Sequence, residues 1–556
     1  MSARTAVATK APAEQVFPTL SATQLARIAA QGHPRKVEVG EVLVTAGDQT
    51  VRFFVVLRGR LEFIRPSSQG EVLVAAFGPG QFTGEATALS GRRGLANIRV
   101  TESGEVIELS REQLLGFIQT DNELSEILMR AFLLRRVELI ANAFGDVVLL
   151  GSSHSAGTLR VKEFLARNGH PYTYVDVDRD FGTQELLDQF QVGIEDVPVL
   201  ICRGSAVLRN PTNQQIVDCL GFNEAVDTER IRDLVIVGAG PAGLAAAVYG
   251  ASEGLDVLVL ESNVPGGQAG SSSKIENYLG FPTGISGQDL ASRAYAQAQK
   301  FGADLVVARG ATHLSCGRRP YAIETEEGGR IPARTIIIAT GAEYRRPALD
   351  NLSQFEGAGV YYAATFIESQ LCRGEELVVL GGGNSAGQAA VFLAQTAKKV
   401  YILVRSSGLA ETMSRYLIRR IEQNPQIEVC TQTELVALEG GSQLERVQWR
   451  DGRTGQVETR AIRHVFVMMG AVPSTQWLAG CMALEEQGFI KTGRDLTPED
   501  LAQAHWPLNR SPYLLETSLP GVFAVGDVRG GSIKRVASAV GEGSIAITFV
   551  HQVLHE

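Results

Sequence analysis

The sequence has only 6 cysteines in 556 residues, and no two of them form a C-x-x-C pair. They are single and scattered, at Cys202, Cys219, Cys316, Cys372, Cys430 and Cys481. This spacing excludes the common zinc motifs and any local redox dithiol. Isolated cysteines are typical of reduced thiols in a cytoplasm, so the sequence predicts a cytoplasmic protein without a metal site.

The sequence also lacks long apolar runs and basic runs. No apolar stretch reaches the ~20 residues that cross a bilayer. Residues 1–17, which we expect to be a disordered tail, contain no apolar core of a secretory signal. A net charge of −9 argues against nucleic acid and anionic membranes as partners. With 44% apolar residues, a chain of this length is expected to form about three or four globular domains.

Within residues 18–143, short alternating strands interrupted by glycine turns extend from about Val37 to Leu109, and an apolar-periodic stretch follows from Arg111 to Ala143. This pattern predicts a β-roll with helices. The stretch F-T-G-E-A-T-A-L-S-G-R-R-G-L-A-N-I-R-V, residues 82–100, resembles the cyclic-nucleotide-binding domain of bacterial regulators and protein kinase A. The resemblance implies that Gly84 and Glu85 contact a ribose.

The arginine that binds the cyclic phosphate in that family has no counterpart here, because Gly94 occupies its position. Arg92 and Arg93 come just before it. A guanidinium group is the natural bidentate partner of a buried phosphate. Two interpretations therefore stay open. Either Gly84, Glu85, Arg92 and Arg93 form an effector site for a cyclic nucleotide, or the domain is a docking or dimerisation module.

Residues 144–225 predict a strand, a helix, a second strand and then a β-hairpin that begins with D-V-P-V-L. This order resembles the thioredoxin and glutaredoxin fold, in which a redox C-x-x-C opens the first helix. The corresponding residues here are S-A-G-T, Ser155 to Thr158. Because a hydroxyl cannot replace the attacking thiolate, we expect a thioredoxin-like domain without redox activity.

The stretch D-L-V-I-V-G-A-G-P-A-G-L starts the strongest motif of the chain. Gly238, Gly240 and Gly243 form G-x-G-x-x-G between a buried strand and a helix, and Glu261 ends the next strand. Backbone N–H groups of such a loop bind a pyrophosphate, while the acid binds ribose hydroxyls. The sequence therefore predicts a Rossmann-like dinucleotide-binding domain.

A second fingerprint, E-L-V-V-L-G-G-G-N-S-A-G, places Gly381, Gly383 and Ala386 in the same setting. The strand after it ends in Arg405, where an acid is expected for NAD. An arginine at this position accommodates the 2′-phosphate of NADP. We therefore expect NADPH as the electron donor, with NADH as the alternative.

Five further motifs narrow the family: P-G-G-Q, K-I-E-N-Y-L-G-F-P, I-I-I-A-T-G-A, L-P-G-V-F-A-V-G-D-V and K-R-V-A. Together they resemble the low-molecular-weight bacterial thioredoxin reductases over residues 230–556. The resemblance implies an FAD-binding domain at 230–344 and 474–556, and an inserted NAD(P)H-binding domain at 345–473. The expected fold class is thus multidomain: an N-terminal β-roll with helices, a thioredoxin-like α/β domain, and two nested Rossmann-like α/β domains.

The resemblance also implies a homodimer and a set of cofactor-binding residues. For NADPH it adds Asn384 and Ser385 to the second fingerprint and Arg405. For FAD, the first fingerprint and Glu261 are joined by further residues. These are Ala239, Pro241, Ala242, Gly267, Gln268, Asn277, Thr340, Gly341, Gly526, Asp527, Arg535, Val536 and Ala537.

One element of the reductase family is missing. The family carries a C-A-T-C dithiol on the nicotinamide domain, and alignment of G-V-Y-Y-A-A-T-F-I-E places Ala363 and Phe366 at those two cysteines. Cys372 has no partner cysteine nearby in the sequence. Tyr361, Tyr362 and Phe366 form either an aromatic wall beside the cofactors or ordinary packing.

We therefore expect an FAD-dependent NAD(P)H oxidoreductase that passes electrons directly to a small-molecule or protein acceptor. No other catalytic constellation is present in the sequence, so no catalytic residue is assigned beyond the cofactors. Two alternatives stay open: a slow or inactive FAD- and nucleotide-binding sensor or scaffold, and a thioredoxin-disulfide reductase that uses the thiols of a partner.

Overall fold

The computed structural model describes residues 13–48, 52–67, 70–84, 88–89, 92–141, 147–152, 155–178, 196–202, 206–223, 225–272, 274–275, 277–349, 351–362, 364, 366–410 and 413–556. Glu85 and Ala363, both singled out from the sequence, lie outside these residues. The chain divides into two compact units. The first unit is Met1–Ser152, Val161–Val226 and Ala296–Ala308, and the second is Ser153–Arg160, Asp227–Tyr295 and Arg309–Glu556.

The first unit contains the predicted β-roll with helices: two short helices precede the roll in its described part, and two longer helices follow it. Strand β3 alternates its side chains between two cores: Phe53 and Val55 enter one cluster, and Phe54 and Val56 enter another. The antiparallel sheet has the order β1-β6-β3-β4, with β2 on β6 and β5 on β3. Its elements are α1 (Ala13–Val16), α2 (Ala22–Ala29), β1 (His33–Val37), β2 (Val42–Val44), β3 (Phe53–Ser67), β4 (Gly70–Phe77), β5 (Phe82–Thr83), β6 (Asn97–Leu109), α3 (Arg111–Thr120) and α4 (Asn122–Ala141).

A middle segment, residues 147–222, has the predicted strand, helix, strand and hairpin. The first strand pairs in parallel with the second and antiparallel with the hairpin, giving the order β10-β9-β7-β8. Ser155 precedes the helix, and its hydroxyl accepts a hydrogen bond from the N–H of Thr158 (3.4 Å). The elements are β7 (Val147–Gly151), α5 (Ala156–Arg167), β8 (Thr173–Asp176), β9 (Val199–Cys202), β10 (Ala206–Arg209) and α6 (Asn213–Leu220).

A first lobe is built on a sheet with the order β12-β11-β16-β15-β14, with β27 beside β16. Its central strands pair in parallel and are buried, as expected when helices cover both faces. Its elements are β11 (Arg232–Val237), α7 (Pro241–Ser252), β12 (Val257–Leu260), α8 (Gly267–Gly270), α9 (Gly287–Lys300), β13 (Asp304–Val306), β14 (Ala311–Ser315), β15 (Tyr321–Thr325), β16 (Arg330–Ile338), α14 (Pro498–Gln503), β27 (Val522–Ala524) and α15 (Val536–His555).

A second lobe interrupts the first lobe in sequence. Its parallel sheet has the order β18-β25-β19-β20-β21, and an antiparallel sheet β22-β23-β24 lies in the same part of the chain. The elements are α10 (Leu352–Phe355), β18 (Val360–Tyr361), α11 (Phe366–Leu371), β19 (Glu376–Leu380), α12 (Asn384–Leu393), β20 (Lys399–Leu403), α13 (Arg415–Glu422), β21 (Ile427–Cys430), β22 (Thr433–Gly440), β23 (Leu444–Asp451), β24 (Val457–Arg460) and β25 (His464–Val467).

Two short strands connect the lobes. β17 (Ala342–Tyr344) leads out of the first lobe and β26 (Ala471–Pro473) leads back, and the two pair antiparallel with Ala342 opposite Pro473. The chain therefore leaves the first lobe and returns to it at neighbouring points.

The structure corrects the expectation that all cysteines are reduced. Cys316, at the end of β14, forms a disulfide with Cys481, which follows the return strand β26. The two are 165 residues apart in sequence, with Cα atoms 5.9 Å apart. Sequence spacing gave no sign of this pair, because only the folded first lobe brings the two positions together. Among the described residues, Cys316–Cys481 is the disulfide that the structure shows, and Cys372 and Cys430 are not part of it.

Among the described residues, no helix is both long and apolar enough to cross a membrane. The same residues contain no cluster of three or more His, Cys, Asp or Glu side chains arranged to hold a metal ion.

Candidate active site

The second unit contains a cavity of about 1660 Å³ whose walls come from both lobes. The glycine loop after β11 forms one part of the wall, and the glycine loop after β19 forms another. Both predicted dinucleotide loops therefore open into one space.

The two loops are built in the same way. Gly238 and Gly381 have positive φ angles of +104° and +130°. A Cβ atom at Gly238 would lie 2.4 Å from the carbonyl oxygen of Ala339, and one at Gly381 would lie 2.1 Å from that of Met468. In each lobe the loop passes tightly over the end of the neighbouring parallel strand, so only glycine fits.

A helix begins directly after each loop, and neither has a side-chain cap. Gly240 is the N-cap of α7, with Pro241 in the first turn, and Gly383 is the N-cap of α12. The first N–H groups of a helix have no partner within it, and the helix dipole favours an anion there. Each loop is thus a suitable site for a phosphate or pyrophosphate.

Glu261 is held rigidly at the end of β12. The side chain is 9% exposed, and one carboxylate oxygen accepts a hydrogen bond from the N–H of Ala239 (2.7 Å). The other oxygen accepts one from the N–H of Asn263 (2.9 Å). The carboxylate is fixed at the cavity wall, as the binding of ribose hydroxyls requires.

The turn Gly526–Asp527 forms another part of the wall. The N–H of Gly526 donates to the carboxylate of Glu542 (2.7 Å), which also pairs with Arg529 (2.6 Å). Asp527 lines the cavity, and burial raises the pKa of its carboxyl. The carboxyl group of Asp527, at the wall of the cavity, can accept hydrogen bonds from sugar hydroxyls.

Two arginines of the second lobe, Arg405 and Arg420, line the cavity. Arg405 is exposed there, close to the end of β20. Tyr416 and Arg420 on α13 also line the cavity, and the Arg420 guanidinium donates to the Tyr416 hydroxyl (3.3 Å). Tyr416 and Arg420 were not predicted from the sequence, although Arg420 is one turn after Tyr416 on an amphipathic helix.

Most predicted cofactor residues lie in the cavity wall, but four do not. Ala239, Gly243, Ala386 and Ala537 are absent from the lining. Gly243 allows close packing instead, because a Cβ there would lie 1.8 Å from the carbonyl oxygen of Gly238. The predicted residues that do line the cavity are Gly238, Gly240, Pro241, Ala242, Glu261, Gly267, Gln268, Asn277, Thr340, Gly341, Gly381, Gly383, Asn384, Ser385, Arg405, Gly526, Asp527, Arg535 and Val536.

Two further lining residues were missed. Trp477 lies just after the return strand, and its indole N–H donates to the carbonyl of Ser474 (3.2 Å). The same carbonyl accepts from the Thr340 hydroxyl (2.9 Å). Lys534 is the other, immediately before Arg535. A tryptophan in an irregular segment gives no periodic signal, so the sequence could not assign it.

Tyr361 and Tyr362, which come just before the expected dithiol positions, are packed against other residues of the second lobe. Tyr361 is 8% exposed and lies against Phe466 (ring centroids 5.2 Å apart). The Tyr362 hydroxyl donates to Glu356 (2.7 Å). Neither tyrosine lines the cavity, so the packing interpretation holds for both. Cys372 is fully buried in the second-lobe core, and burial raises the pKa of its thiol to about 12.

Two of the candidate effector residues of the roll, Gly84 and Arg92, make different contacts inside the protein. A Cβ at Gly84 would lie 2.3 Å from the carbonyl oxygen of Arg52, so this glycine serves close packing. Arg92 is 8% exposed and contacts Asn168 and Phe222 of the middle segment.

Comparison with known proteins agrees with this description. Residues 232–543 match the pyridine nucleotide-disulphide oxidoreductase family, and residues 34–121 match the cyclic nucleotide-binding domain. The chain belongs to the pyridine nucleotide-disulphide oxidoreductase family. Within it, the chain is similar to thioredoxin reductases, and it carries a cyclic-nucleotide-binding-type domain at its N-terminal side.

Three relatives illustrate the similarity. Thioredoxin reductase of Bacillus subtilis is 31% identical over 329 residues, which are 59% of this chain and 96% of the relative. NADPH-dependent thioredoxin reductase 3 of Arabidopsis thaliana is 32% identical over 360 residues, 62% of this chain and 64% of the relative. The structure of Lactococcus lactis thioredoxin reductase in the FR conformation has a TM-score of 0.52 and 28% identity, covering 58% of this chain and all of that one.

These relatives confirm the predicted cofactors, FAD and NADPH, and the oxidoreductase class. The uncapped helix N-termini, the fixed Glu261 and the exposed Arg405 fit two dinucleotides in one cavity.

Proposed function

We propose that this protein is an FAD-dependent NADPH oxidoreductase that delivers electrons directly to an acceptor, without a protein dithiol. When bound, FAD and NADPH supply hydride-transfer chemistry. The observation that carries the proposal is the composition of the cavity wall: among the described residues that line it, none is a cysteine.

The remaining thiols support the same conclusion. Cys372 and Cys430 have pKa values raised to about 12 and about 11 by burial, so both stay protonated near neutral pH. Disulfide exchange requires the thiolate form of the attacking sulfur. Cys316 and Cys481 are joined to each other and are not part of the wall. None of these four cysteines is placed in the cavity wall as a reactive dithiol, which supports direct delivery of electrons.

The residues of the wall have distinct roles in this proposal. The loops at Gly238–Gly240 and Gly381–Gly383 bind the two pyrophosphates through backbone N–H groups. Glu261 and Asp527 orient the sugar hydroxyls of FAD, and Arg405 pairs with the 2′-phosphate of NADPH. Because both loops open into one cavity, the chain can hold the reacting ends of both cofactors in a common, walled space.

The remaining assignments are part of the same proposal. The inserted domain at 345–473, the homodimer and the redox-inactive thioredoxin-like role of residues 144–225 follow from the family resemblance and from S-A-G-T at the C-x-x-C position. The cytoplasmic location stays a prediction from the sequence.

The test is anaerobic mixing of the FAD-loaded protein with NADPH, and separately with NADH, while the visible flavin absorbance is recorded. Rapid bleaching, faster with NADPH, is expected. Turnover is then measured with oxygen, a quinone, and thioredoxin with a chromogenic disulfide. Quinone or oxygen turnover without thioredoxin turnover supports the proposal.

A double variant, Cys372→Ser with Cys430→Ser, is the matched control and is expected to retain turnover. Appreciable thioredoxin reduction, or loss of turnover in this variant, contradicts direct delivery and favours a thiol relay. Flavin that stays oxidised with both nucleotides contradicts the oxidoreductase function and favours the sensor or scaffold alternative.

A further inference from the structure

Two arginines of the first unit converge on one helix end of the middle segment. The Arg92 guanidinium donates to the backbone carbonyl of Asn168 (2.9 Å), and the Arg136 guanidinium donates to the same oxygen (2.8 Å). Asn168 directly follows helix α5, and Gly169 turns the chain away with a φ of +60°. Carbonyls at a helix C-terminus lack partners within the helix and carry the negative end of its dipole, so cations are favoured there.

Arg92 also covers an aromatic group. Its guanidinium carbon lies 4.4 Å from the centroid of the Phe222 ring, a favourable cation–π distance. Phe222 is 4% exposed and stacks on Phe164 of α5, with ring centroids 6.3 Å apart. Arg92 thus makes two contacts. Its guanidinium N–H binds the carbonyl at the end of α5, and the flat face of the guanidinium lies over the buried Phe222 ring.

The neighbouring arginine reaches a second helix end. Gly221 is the left-handed C-cap of α6, and a Cβ atom at Gly221 would lie 2.2 Å from Nε of Arg93. The Arg93 side chain therefore lies directly against this cap. Consecutive arginines of one loop meet two separate helix C-termini of the same segment.

Gly94, the next residue of this loop, is hydrogen-bonded to the backbone of the roll. The position of the family's phosphate-binding arginine is Gly94, whose N–H donates to the carbonyl of Asp48 (3.0 Å). The carbonyl of Gly94 accepts from the N–H of Gly47 (2.8 Å). The loop is thus paired with the backbone of the roll at this point, while its two arginines are directed to the middle segment.

We propose that Arg92, Arg93 and Arg136 form an arginine latch that fastens the N-terminal roll to the middle segment, and that the loop has exchanged cyclic-phosphate binding for this contact. The partner surface is the pair of helix C-termini at Asn168–Gly169 and Gly221–Phe222. The Arg92 guanidinium is then not available to a cyclic phosphate in the roll, because it binds the Asn168 carbonyl and covers the Phe222 ring.

The first test measures amide hydrogen exchange of the full-length protein at residues 164–170 and 217–222. Arg92→Leu is expected to raise exchange at both helix ends by roughly tenfold or more, since local opening free energy sets the exchange rate. Arg92→Lys keeps the charge but not the planar fork and should give an intermediate increase. Arg58→Leu, at an exposed arginine of the same roll, is the matched control and should leave both segments unchanged.

The second test starts with nucleotide binding by the wild-type protein. Isothermal titration of the wild-type protein with cyclic AMP and cyclic GMP at millimolar concentration is expected to show no saturable heat. Saturable binding of either nucleotide, abolished in Arg92→Leu, would show that Arg92 is a phosphate ligand and overturn the latch. Unchanged exchange at both helix ends in Arg92→Leu would overturn it as well.

Discussion

Replacement of Cys316 and Cys481 by serine is expected to destabilise the second unit strongly. The disulfide joins residues 165 apart, and the loop it closes contains β17, β26 and the whole second lobe. For a closed loop of this length, the chain-entropy relation predicts that the link raises the free energy of the unfolded state by about 5 kcal/mol at 25 °C, through its lost entropy. This value is an expected upper bound for the loss of stability.

Local packing should add little to that loss. The Sγ atom of Cys481 lies 3.1 Å from the carbonyl oxygen of Leu314, so a serine hydroxyl at 481 has an acceptor within reach. Cys316 is only half-buried. A serine at either position therefore leaves no buried polar group without a partner, and the measured difference reports mainly the lost covalent link.

The assay is guanidinium unfolding of the FAD-loaded protein, followed by flavin release and tryptophan fluorescence. The double serine variant should unfold at a lower midpoint, and wild type pretreated with a strong reductant should match it. Cys430→Ser, which removes a free half-buried thiol of the second lobe, is the control and should resemble untreated wild type. Coincident curves for wild type and the double variant, or alkylation of both cysteines in unreduced native protein, would refute the reasoning.

Three further predictions follow from the cavity and its surroundings. Arg405→Ala should raise the Kd for NADPH on the order of 10- to 100-fold, because a charge-assisted hydrogen bond contributes about 1.5–3 kcal/mol. The Kd for NADH should stay unchanged. Titration calorimetry measures both Kd values, and Arg446→Ala is the control. Asp527→Asn should lower the FAD content measured from the flavin-to-protein absorbance ratio. Because burial raises the folded-state pKa of Asp527, its contribution to apoprotein stability is present below the unfolded pKa and lost as pH rises through the folded pKa; thermal melts of Asp527→Asn should lack this loss. Cys372, with a pKa of about 12, should resist a thiol reagent at about pH 8 in native protein and react after unfolding; rapid native labelling at Cys372, identified by peptide mass, would contradict its burial.

Features that depend on neighbouring residues were predictable from the sequence. The strand, glycine turn and helix around Gly238 and Gly381 are local, because each glycine is required by the strand end next to it. The fixed acid at Glu261 and the cation at Arg405 follow from the same repeating unit. The alternation of β3 in the roll was equally visible, since a period of two residues is set by backbone geometry.

Features that depend on distant pairs were not predictable. In the sequence, Cys316 and Cys481 look the same as the other four cysteines, and only the fold brings their Cα atoms to a distance of 5.9 Å. From the sequence, Arg92 is a candidate phosphate ligand. Its carbonyl partner at Asn168 is 76 residues away in the sequence, so no local pattern indicates their contact. Trp477 lies in an irregular segment without periodicity. In each case the deciding neighbour belongs to another element.

The antiparallel pairing of β17 with β26 has a consequence for how such proteins are assembled. Since Ala342 lies opposite Pro473, the two ends of the second lobe are separated by one inter-strand spacing, about 5 Å. A turn of about two residues is enough to join paired strands of this kind. The first lobe can therefore be encoded without the intervening residues and closed by a tight hairpin. A different module fits the same place in the chain when its two termini lie equally close together.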